Sequence, residues 1–234
     1  MKTNTIVLIT GTRKGIGKDL VKYYAKKKNY YLIGCSREKV DYTYNNYEHF
    51  ALDVIDEISI KKMFSLIRKN YGKLDILINN AGLASMNHVL LTPINKAREI
   101  MQTNFLGTFL LSRESAKIMK LNNFGRIINI TSVGTQMKLE GEAIYTASKS
   151  AIENLTIVMS RELSSFGITV NAVGPTPTMT DLIRFVPKEK IDNIVSELAF
   201  ERLTKISDII NVIDFFISKK SDYITGQRIF LGGA

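Results

Sequence analysis

Short apolar runs, many of them rich in β-branched residues, alternate with longer amphipathic stretches along the whole chain. The runs at residues 5–10, 30–35, 50–54, 74–78, 127–130, 167–173 and 228–231 have the length expected of strands. Helical patterns follow most of them, the longest at 94–121 and from 142 onward. Because parallel strands need long, usually helical, crossovers, the 234-residue sequence predicts an α/β fold. We expect one domain, residues 1–234, with a doubly wound parallel sheet and helices on both faces.

A glycine-rich segment, TGTRKGIG at residues 10–17, stands between the first predicted strand and the first predicted helix. Glycine allows a tight turn and close approach of the backbone to a pyrophosphate, and a helix N-terminus offers N–H donors to an anion. The spacing of Gly11, Gly15 and Gly17 is G-x-x-x-G-x-G, not the G-x-G-x-x-G of the usual dinucleotide fingerprint. The segment therefore favours a dinucleotide site, and an ordinary turn is the alternative.

The second predicted strand ends at Ser36 and Arg37. In a dinucleotide site a carboxylate at this place binds the ribose 2′-hydroxyl. Arg37 would instead pair with a 2′-phosphate, so NADP(H) is favoured over NAD(H). Arg13 or Lys14 is the candidate for a second phosphate contact. The alternative for Arg37 is a solvated loop residue.

The segment at 127–149 carries the candidate chemistry. Ser132 follows an apolar predicted strand, and Tyr145 and Lys149 are spaced to lie one turn apart on one helix face. An ammonium beside a phenol favours the phenolate and lowers the Tyr pKa from about 10 towards neutrality. With Ser132 holding a carbonyl, Tyr145 would serve as its proton donor. The alternative is an ordinary surface pair.

Composition restricts the partners and the compartment. The net charge of +10 is spread over dispersed lysines, which favours an anionic small molecule over specific nucleic-acid binding. No apolar run approaches the ~18–20 residues that span a membrane, and the N-terminal residues lack the features of a signal peptide. The one cysteine, Cys35, excludes an intrachain disulfide and fits a reducing cytoplasm. We expect no membrane association and no metal site.

Taken together, these motifs resemble the short-chain dehydrogenase/reductase family across essentially the whole chain, and bacterial 3-oxoacyl-carrier-protein reductases and their sugar-pathway relatives in particular. The matching pieces are TGTRKGIG at 10–17, Asp53, NNAG at 79–82, Asn104, Ser132, YTASK at 145–149 and the pattern Asn171, Pro175 and Thr180. The resemblance implies a Rossmann-type sheet and reduction of a carbonyl compound.

The resemblance also implies roles for individual residues. Tyr145 would be the general acid/base, and Lys149 would lower its pKa and bind the nicotinamide ribose. Ser132 would orient the substrate oxygen, and Asn104 would hold a proton-relay water. The cofactor contacts predicted for NADP(H) are Gly11, Arg13, Lys14, Gly15, Ile16, Gly17, Ser36, Arg37, Asp53, Val54, Asn80, Ala81, Gly82, Tyr145, Lys149, Pro175, Thr178 and Thr180.

Two departures from the family pattern leave the identity of the substrate open. The usual Pro-Gly after the sixth strand is Pro175-Thr176, and the usual Asp-Gly-Gly near the C-terminus lacks its Asp. The sequence leaves open an acyl thioester and a polar compound such as a sugar derivative. A segment at about 176–203 would cover the substrate.

The sequence leaves two other functions open and predicts an assembly. A nucleotide-sugar lyase or epimerase with bound cofactor and a non-catalytic NADP-binding regulatory subunit are the alternatives. In the family, helices equivalent to 94–121 and 142–166 pair between subunits, so we expect a homodimer or homotetramer. Met101, Phe105, Phe109, Ile152, Leu155 and Met159 are the predicted apolar contacts.

Overall fold

The computed structural model describes residues 4–178 and 188–233. Its centre is one sheet in which all seven strands are parallel, in the order β3-β2-β1-β4-β5-β6-β7. The strands are β1 Thr5–Thr10, β2 Tyr30–Ser36, β3 Tyr47–Ala51, β4 Ile76–Asn79, β5 Gly125–Ile130, β6 Ile168–Gly174 and β7 Arg228–Phe230. The predicted fold class is confirmed. The prediction for the third strand was displaced, because Tyr47 pairs with β2 whereas residues 52–54 leave the sheet.

Eight α-helices connect and flank the strands within the described residues. They are α1 Gly15–Tyr24, α2 Glu57–Tyr71, α3 Ile94–Met101, α4 Gly107–Met119, α5 Gly134–Met137, α6 Ala143–Leu163, α7 Lys188–Ser196 and α8 Ile206–Ile217. The prediction of one helix over 94–121 was wrong in one respect. A π-helical turn, Gln102–Leu106, separates α3 from α4, and such turns are frequent at functional sites.

The core lies on both faces of the sheet because neighbouring residues of a strand point to opposite sides. In β1, Ile6 and Leu8 pack with α2, α4 and α6, while Val7 and Ile9 pack with α1 and α8. Cys35 is fully buried in β2. Helices therefore cover both faces, and the carboxyl ends of the strands remain available for a site.

The strand order reverses between β1 and β4, and a crevice forms outside the carboxyl ends of the strands at such a point. Residues 179–187 lie outside the described residues. They include Thr180 and part of the predicted cover at about 176–203. None of the described helices combines the length and the apolar character needed to cross a bilayer.

Candidate active site

Two neighbouring cavities lie at the carboxyl edge of the sheet. The first is lined by the glycine-rich loop and the ends of β2 and β4, and the second by Ser132, Tyr145 and Lys149. Four residues line both cavities: Ile16, Asn80, Gly82 and Leu83. The second has a volume of about 380 Å³, which falls in the ~300–1,000 Å³ range of small-molecule sites. A long ligand can therefore reach from one cavity into the other.

The glycine-rich loop has the geometry that its sequence predicts. Gly11 and Gly15 adopt φ values of +71° and +57°, a region that favours glycine. A side chain at Gly17 would collide with the Gly11 carbonyl, so glycine is needed where α1 packs under the loop. No side chain caps α1 at Lys14. The first N–H groups of the helix are thus available to an anion.

Asn80 joins the loop to the end of β4. Its side-chain amide donates to the carbonyls of Thr10 and Gly11 at 2.9 and 3.3 Å, and the Thr10 hydroxyl accepts from the backbone N–H groups of Asn80 and Ala81 at 3.0 and 2.9 Å. These bonds fix the floor between the two cavities. Asn80 was predicted as a cofactor contact, and the structure gives its amide group a bracing role.

At the far end of the first cavity lie Arg13, Ser36, Arg37 and Glu38. Arg37 is exposed and forms no ion pair with any described residue. Arg13 pairs with Glu38 at 3.0 Å, with 42% and 68% of the two side chains exposed. Glu38 was not predicted, and it places a carboxylate near the proposed phosphate contact.

The Ser36 hydroxyl is engaged within the protein. It donates to the Glu38 carbonyl at 2.8 Å and lies 3.2 Å from His49 Nε2. His49 Nδ1 lies 2.9 Å from the Tyr47 hydroxyl, which donates to Thr12 Oγ1 at 3.0 Å. No sequence pattern predicts this cluster, because its members come from three separate segments.

Asp53 and Val54 also line the first cavity. The Asp53 carboxylate accepts from the Ile55 backbone N–H at 3.2 Å, which holds the turn after β3. The other predicted contacts at this cavity are Gly11, Lys14, Gly15, Ile16, Ala81 and Gly82. Pro175 and Thr178 line the second cavity instead. The structure thus gathers the described members of the predicted set around the two cavities or, for Gly17, directly beneath them.

Ser132, Tyr145 and Lys149 meet in the second cavity. Ser132 lies two residues after the end of β5. Its Oγ accepts a hydrogen bond from the Gly134 backbone N–H at 3.1 Å. Lys149 is 5% exposed, and its Nζ donates to the carbonyl of Ile130 at 2.8 Å. That Nζ is 5.8 Å from the centre of the Tyr145 ring. A hydroxyl, a phenol and an ammonium therefore face one space, as the sequence spacing predicts.

The Asn104 side chain, in the π-helical turn, clamps neighbouring segments together. Its Oδ1 accepts from the Leu83 N–H at 2.7 Å, and its Nδ2 donates to the Leu83 carbonyl and Ser148 Oγ, both at 2.9 Å. Asn104 is fully buried. The side chain therefore has a bracing role, and its predicted part in a proton relay stays a prediction.

Comparison with known proteins decides the family. A short-chain dehydrogenase family model matches residues 5–190. The chain belongs to the short-chain dehydrogenase family. It is 31% identical over 233 residues to the 3-oxoacyl-[acyl-carrier-protein] reductase FabG of Escherichia coli (strain K12), covering 97% of this chain and 96% of the relative.

Solved structures share the fold. ElxO with NADP bound has a TM-score of 0.89 and 29% identity, covering 97% of each chain. A 4-hydroxyisoleucine dehydrogenase in complex with NADH has a TM-score of 0.86 and 28% identity, covering 98% of each chain. One protein with this fold thus has NADP bound, and another has NADH bound.

Burial dominates the pKa values of the tyrosine–lysine pair in this structure, and the predicted lowering of the Tyr145 pKa by Lys149 stays a prediction. Burial raises the pKa of Tyr145 to about 12, the Glu142 carboxylate adds to the rise, and nearby Ser132 opposes it in part. Burial also lowers the pKa of Lys149 to about 8. The sequence argument considered only the attraction of two neighbouring groups, whereas removal from water is the larger effect here.

Thr176, which replaces the family's usual glycine, forms a link that the sequence did not predict. Its Oγ1 lies 2.5 Å from Thr204 Oγ1, and each backbone N–H donates to the other residue's hydroxyl at 3.2 Å. Both side chains are buried. The two ends of the predicted cover, 176 and about 203, are therefore tied together beside the second cavity.

Glu142 is a further residue of the site that was not predicted from the sequence. It lines the second cavity with Tyr145 and Lys149, and its pKa is raised by burial. The available signal was its position, three residues before Tyr145. Nothing in the sequence shows which way its side chain points, because it stands where the loop turns into α6.

Proposed function

We propose that this short-chain dehydrogenase is an NADP(H)-dependent oxidoreductase that interconverts a carbonyl compound and a secondary alcohol. The observation that carries the proposal is that Ser132, Tyr145 and Lys149 meet in a cavity adjoining the glycine-rich cavity. Hydride transfer requires a substrate oxygen and a nicotinamide to lie side by side, and the adjoining cavities provide such an arrangement.

The residues of the first cavity fit a dinucleotide. Gly11, Gly15 and Gly17 leave room for a diphosphate beside the uncapped start of α1. The remaining contacts proposed for the cofactor are Asp53, Val54, Asn80, Ala81, Gly82, Pro175, Thr178 and Thr180. The glycines and the helix N-terminus therefore support binding of a dinucleotide through its diphosphate.

Arg37 supports NADP(H) over NAD(H). Its guanidinium is exposed and forms no ion pair among the described residues, and it lies in the same cavity as Arg13 and Lys14. Guanidinium groups bind phosphate with paired hydrogen bonds. Glu38 opposes this preference by holding Arg13. We propose that Arg37 supplies the main contact to the 2′-phosphate.

NADPH, when bound, supplies the hydride that reaches the carbonyl carbon. Ser132 Oγ and the Tyr145 hydroxyl hold the carbonyl oxygen, where negative charge develops. With a pKa of about 12, Tyr145 is a neutral phenol at neutral pH and carries the proton that the oxygen needs. We propose that Lys149, whose ammonium donates to the Ile130 carbonyl, returns a proton to Tyr145 after the reduction. The substrate is a small carbonyl compound, covered by the segment at about 176–203.

Spectroscopy of the purified protein tests this proposal. NADPH consumption at 340 nm with a panel of ketones, and NADP⁺ reduction with the matching alcohols, should reveal turnover of at least one substrate pair. NADH should be a poorer cofactor. A protein that binds neither cofactor in a fluorescence titration contradicts the proposal.

We further propose a homodimer or homotetramer in the cytoplasm. Ile152 and Met159 are 1% and 6% exposed, so they pack within their own chain and the prediction that they contact another subunit is wrong. Leu106, Phe109 and Val158 are 50%, 38% and 44% exposed on the turn before α4, α4 itself and α6. The predicted residue Phe109 therefore supplies exposed apolar surface, together with Leu106 and Val158, which were not predicted. Light scattering at micromolar concentration should give two or four times the mass of one chain, and a monomer contradicts this.

A further inference from the structure

Glu142 occupies a helix-capping position without capping its helix. It is the N-cap residue of α6, and its side chain accepts no hydrogen bond from the first turn. Asp56, at the N-cap of α2, accepts from the N–H groups of Ile58 and Ser59 at 3.0 and 3.2 Å. Aspartate is among the preferred residues at this position, and glutamate is not. The carboxylate of Glu142 is instead turned into the second cavity.

The carboxylate lies beside the group that holds the substrate oxygen. The place that a Cβ atom on Gly134 would occupy is 2.6 Å from Glu142 Oε2 and 3.3 Å from Ser132 Oγ. Only a residue without a side chain fits between them. Glu142 Oε2 and Ser132 Oγ thus both lie against Gly134 at the wall of the second cavity, so a molecule held by Ser132 can bring its adjacent atoms to Glu142.

Within the part of the chain that the structure describes, no group pairs with this carboxylate. Among the described residues, its oxygens have neither a hydrogen bond nor an ion pair. Lys149, the other charged side chain among the described residues that line the cavity, is committed to the Ile130 carbonyl. The ammonium of nearby Lys138 donates to the Thr135 carbonyl. A partly buried carboxylate without a donor is costly, and a ligand that brings a donor removes this cost.

We propose that Glu142 is a specificity-determining residue that accepts a hydrogen bond from a hydroxyl or ammonium group on the carbon next to the reacting carbon. This inference rests on the proposed function and narrows its substrates to vicinal diols and amino alcohols, with the matching hydroxy- or aminoketones. A carboxylate at the same place would face the charge of Glu142, so 2-hydroxy acids and 2-oxo acids are excluded.

Four secondary alcohols of the form CH₃–CH(OH)–X test the inference with NADP⁺ at neutral pH. They are 1-amino-2-propanol, 1,2-propanediol, 2-butanol and lactate, in which X is CH₂NH₃⁺, CH₂OH, CH₂CH₃ and COO⁻, respectively. In the wild type, kcat/KM for the ammonium and hydroxyl compounds should exceed that for 2-butanol by at least ~10-fold, the scale of a hydrogen bond to a charged group. Lactate should be the poorest. A lactate rate at or above that of 2-butanol overturns the inference.

Two variants separate the charge of Glu142 from its hydrogen bond. Glu142→Gln keeps an acceptor, so it should keep the preference for 1,2-propanediol while losing the ammonium advantage and most of the lactate penalty. Glu142→Leu should lose all three effects. Glu162→Gln, which removes an exposed carboxylate from the same helix, is the matched control and should keep the wild-type order. The wild-type order in Glu142→Leu contradicts the inference.

Binding to Tyr145→Phe in the presence of NADP⁺ separates this inference from the proposed function. Calorimetric affinities of the four compounds should follow the same order without turnover. If the affinities keep this order but the wild type oxidises none of the four compounds and reduces no ketone of the wider panel, the proposed function fails and the assignment of Glu142 stands. If it oxidises them without a preference that depends on Glu142, the assignment fails and the proposed function stands. Absence of both binding and oxidation contradicts both.

Discussion

The two ends of the paired cavities are built from the same kinds of charged group in different surroundings. At the arginine end (Arg13, Ser36, Arg37 and Glu38), Arg13 and Glu38 are 42% and 68% exposed. At the tyrosine end (Ser132, Glu142, Tyr145 and Lys149), Lys149 is 5% exposed. Water and salt screen the first set, whereas the second set interacts at close range with little solvent.

Because of this difference, a charged side chain at the arginine end mainly adds binding affinity, whereas one at the tyrosine end also alters the pKa values of its neighbours. Exposed ion pairs such as Arg13–Glu38 typically contribute less than ~1 kcal/mol. At the tyrosine end, burial moves the pKa of Tyr145 up to about 12 and that of Lys149 down to about 8. Substitutions at the tyrosine end should therefore have the larger effects.

The largest effect should follow from Tyr145→Phe, which removes the phenolic hydroxyl and keeps the ring. Turnover should fall by ~10²–10⁴-fold, the usual contribution of a positioned acid or base. NADPH affinity, measured by fluorescence, should stay within a few-fold because the arginine end is unchanged. Tyr223→Phe, at a 98% exposed side chain, is the control. A Tyr145→Phe enzyme with a wild-type rate would remove the distinction between the two ends.

The buried ammonium of Lys149 should make the stability of the cofactor-free protein depend on pH. Its folded pKa of about 8 lies below the ~10.4 of an unfolded lysine. Folding therefore disfavours the charged form: the penalty is complete below pH 8 and disappears as the pH rises to about 10.4. The free energy of unfolding should increase over this window by roughly 3 kcal/mol at most.

Chemical denaturation at several pH values measures this dependence. Lys149→Met should lose the increase between pH 8 and 10, whereas Lys69→Met, at an exposed lysine, should keep it. Tyr145 does not produce the same signal, because its raised pKa stabilises the fold at low pH and this contribution is lost only between about 10 and 12. An increase that persists in Lys149→Met contradicts the account of this buried group.

An intermediate effect is expected at the link between Thr176 and Thr204. Thr176→Val or Thr204→Val leaves a buried hydroxyl without its partner, which costs ~1–3 kcal/mol of unfolding free energy. The double variant should cost less than the sum of the two, because both unpaired groups are removed together. Denaturation of all four proteins measures the coupling, and strictly additive losses contradict the link.

The smallest effect is expected at the arginine end. Arg37→Ala should weaken NADPH binding by about 1.5 kcal/mol, the lower limit for hydrogen bonds to charged groups, because the site is exposed. NADH binding should change far less. The loss should shrink at high salt. Equal losses for NADPH and NADH, or a wild type that prefers NADH, remove Arg37 as the determinant of cofactor choice.

Local patterns predicted the parts of the molecule whose structure depends on neighbouring residues. The buried strands, the glycine-rich turn and the one-turn spacing of Tyr145 and Lys149 follow from periodicity and glycine geometry. The displaced third strand shows the limit, because its register depends on pairing with β2. Thr176 and Thr204 are 28 positions apart, and no pattern in the sequence links them.

The residues of the site could be predicted from the sequence, but the shifts in their pKa values could not. The sequence identified Ser132, Tyr145 and Lys149, but the direction of the Tyr145 pKa depends on burial and on Glu142. Glu142 lines the cavity because the loop before α6 lies against it, and no local sequence pattern predicts that position. Three-dimensional packing decides which charges lose their water, and that information is spread over the whole chain.

Transfer of deuterium from the cofactor tests the central claim most directly. The purified enzyme is given a ketone that it reduces and, in separate reactions, NADPH labelled with deuterium at either of the two C4 positions. One labelled form should deliver its deuterium to the carbinol carbon of the product, seen by mass spectrometry and NMR, and the other should retain it. Product without deuterium from both forms would contradict hydride transfer in these paired cavities.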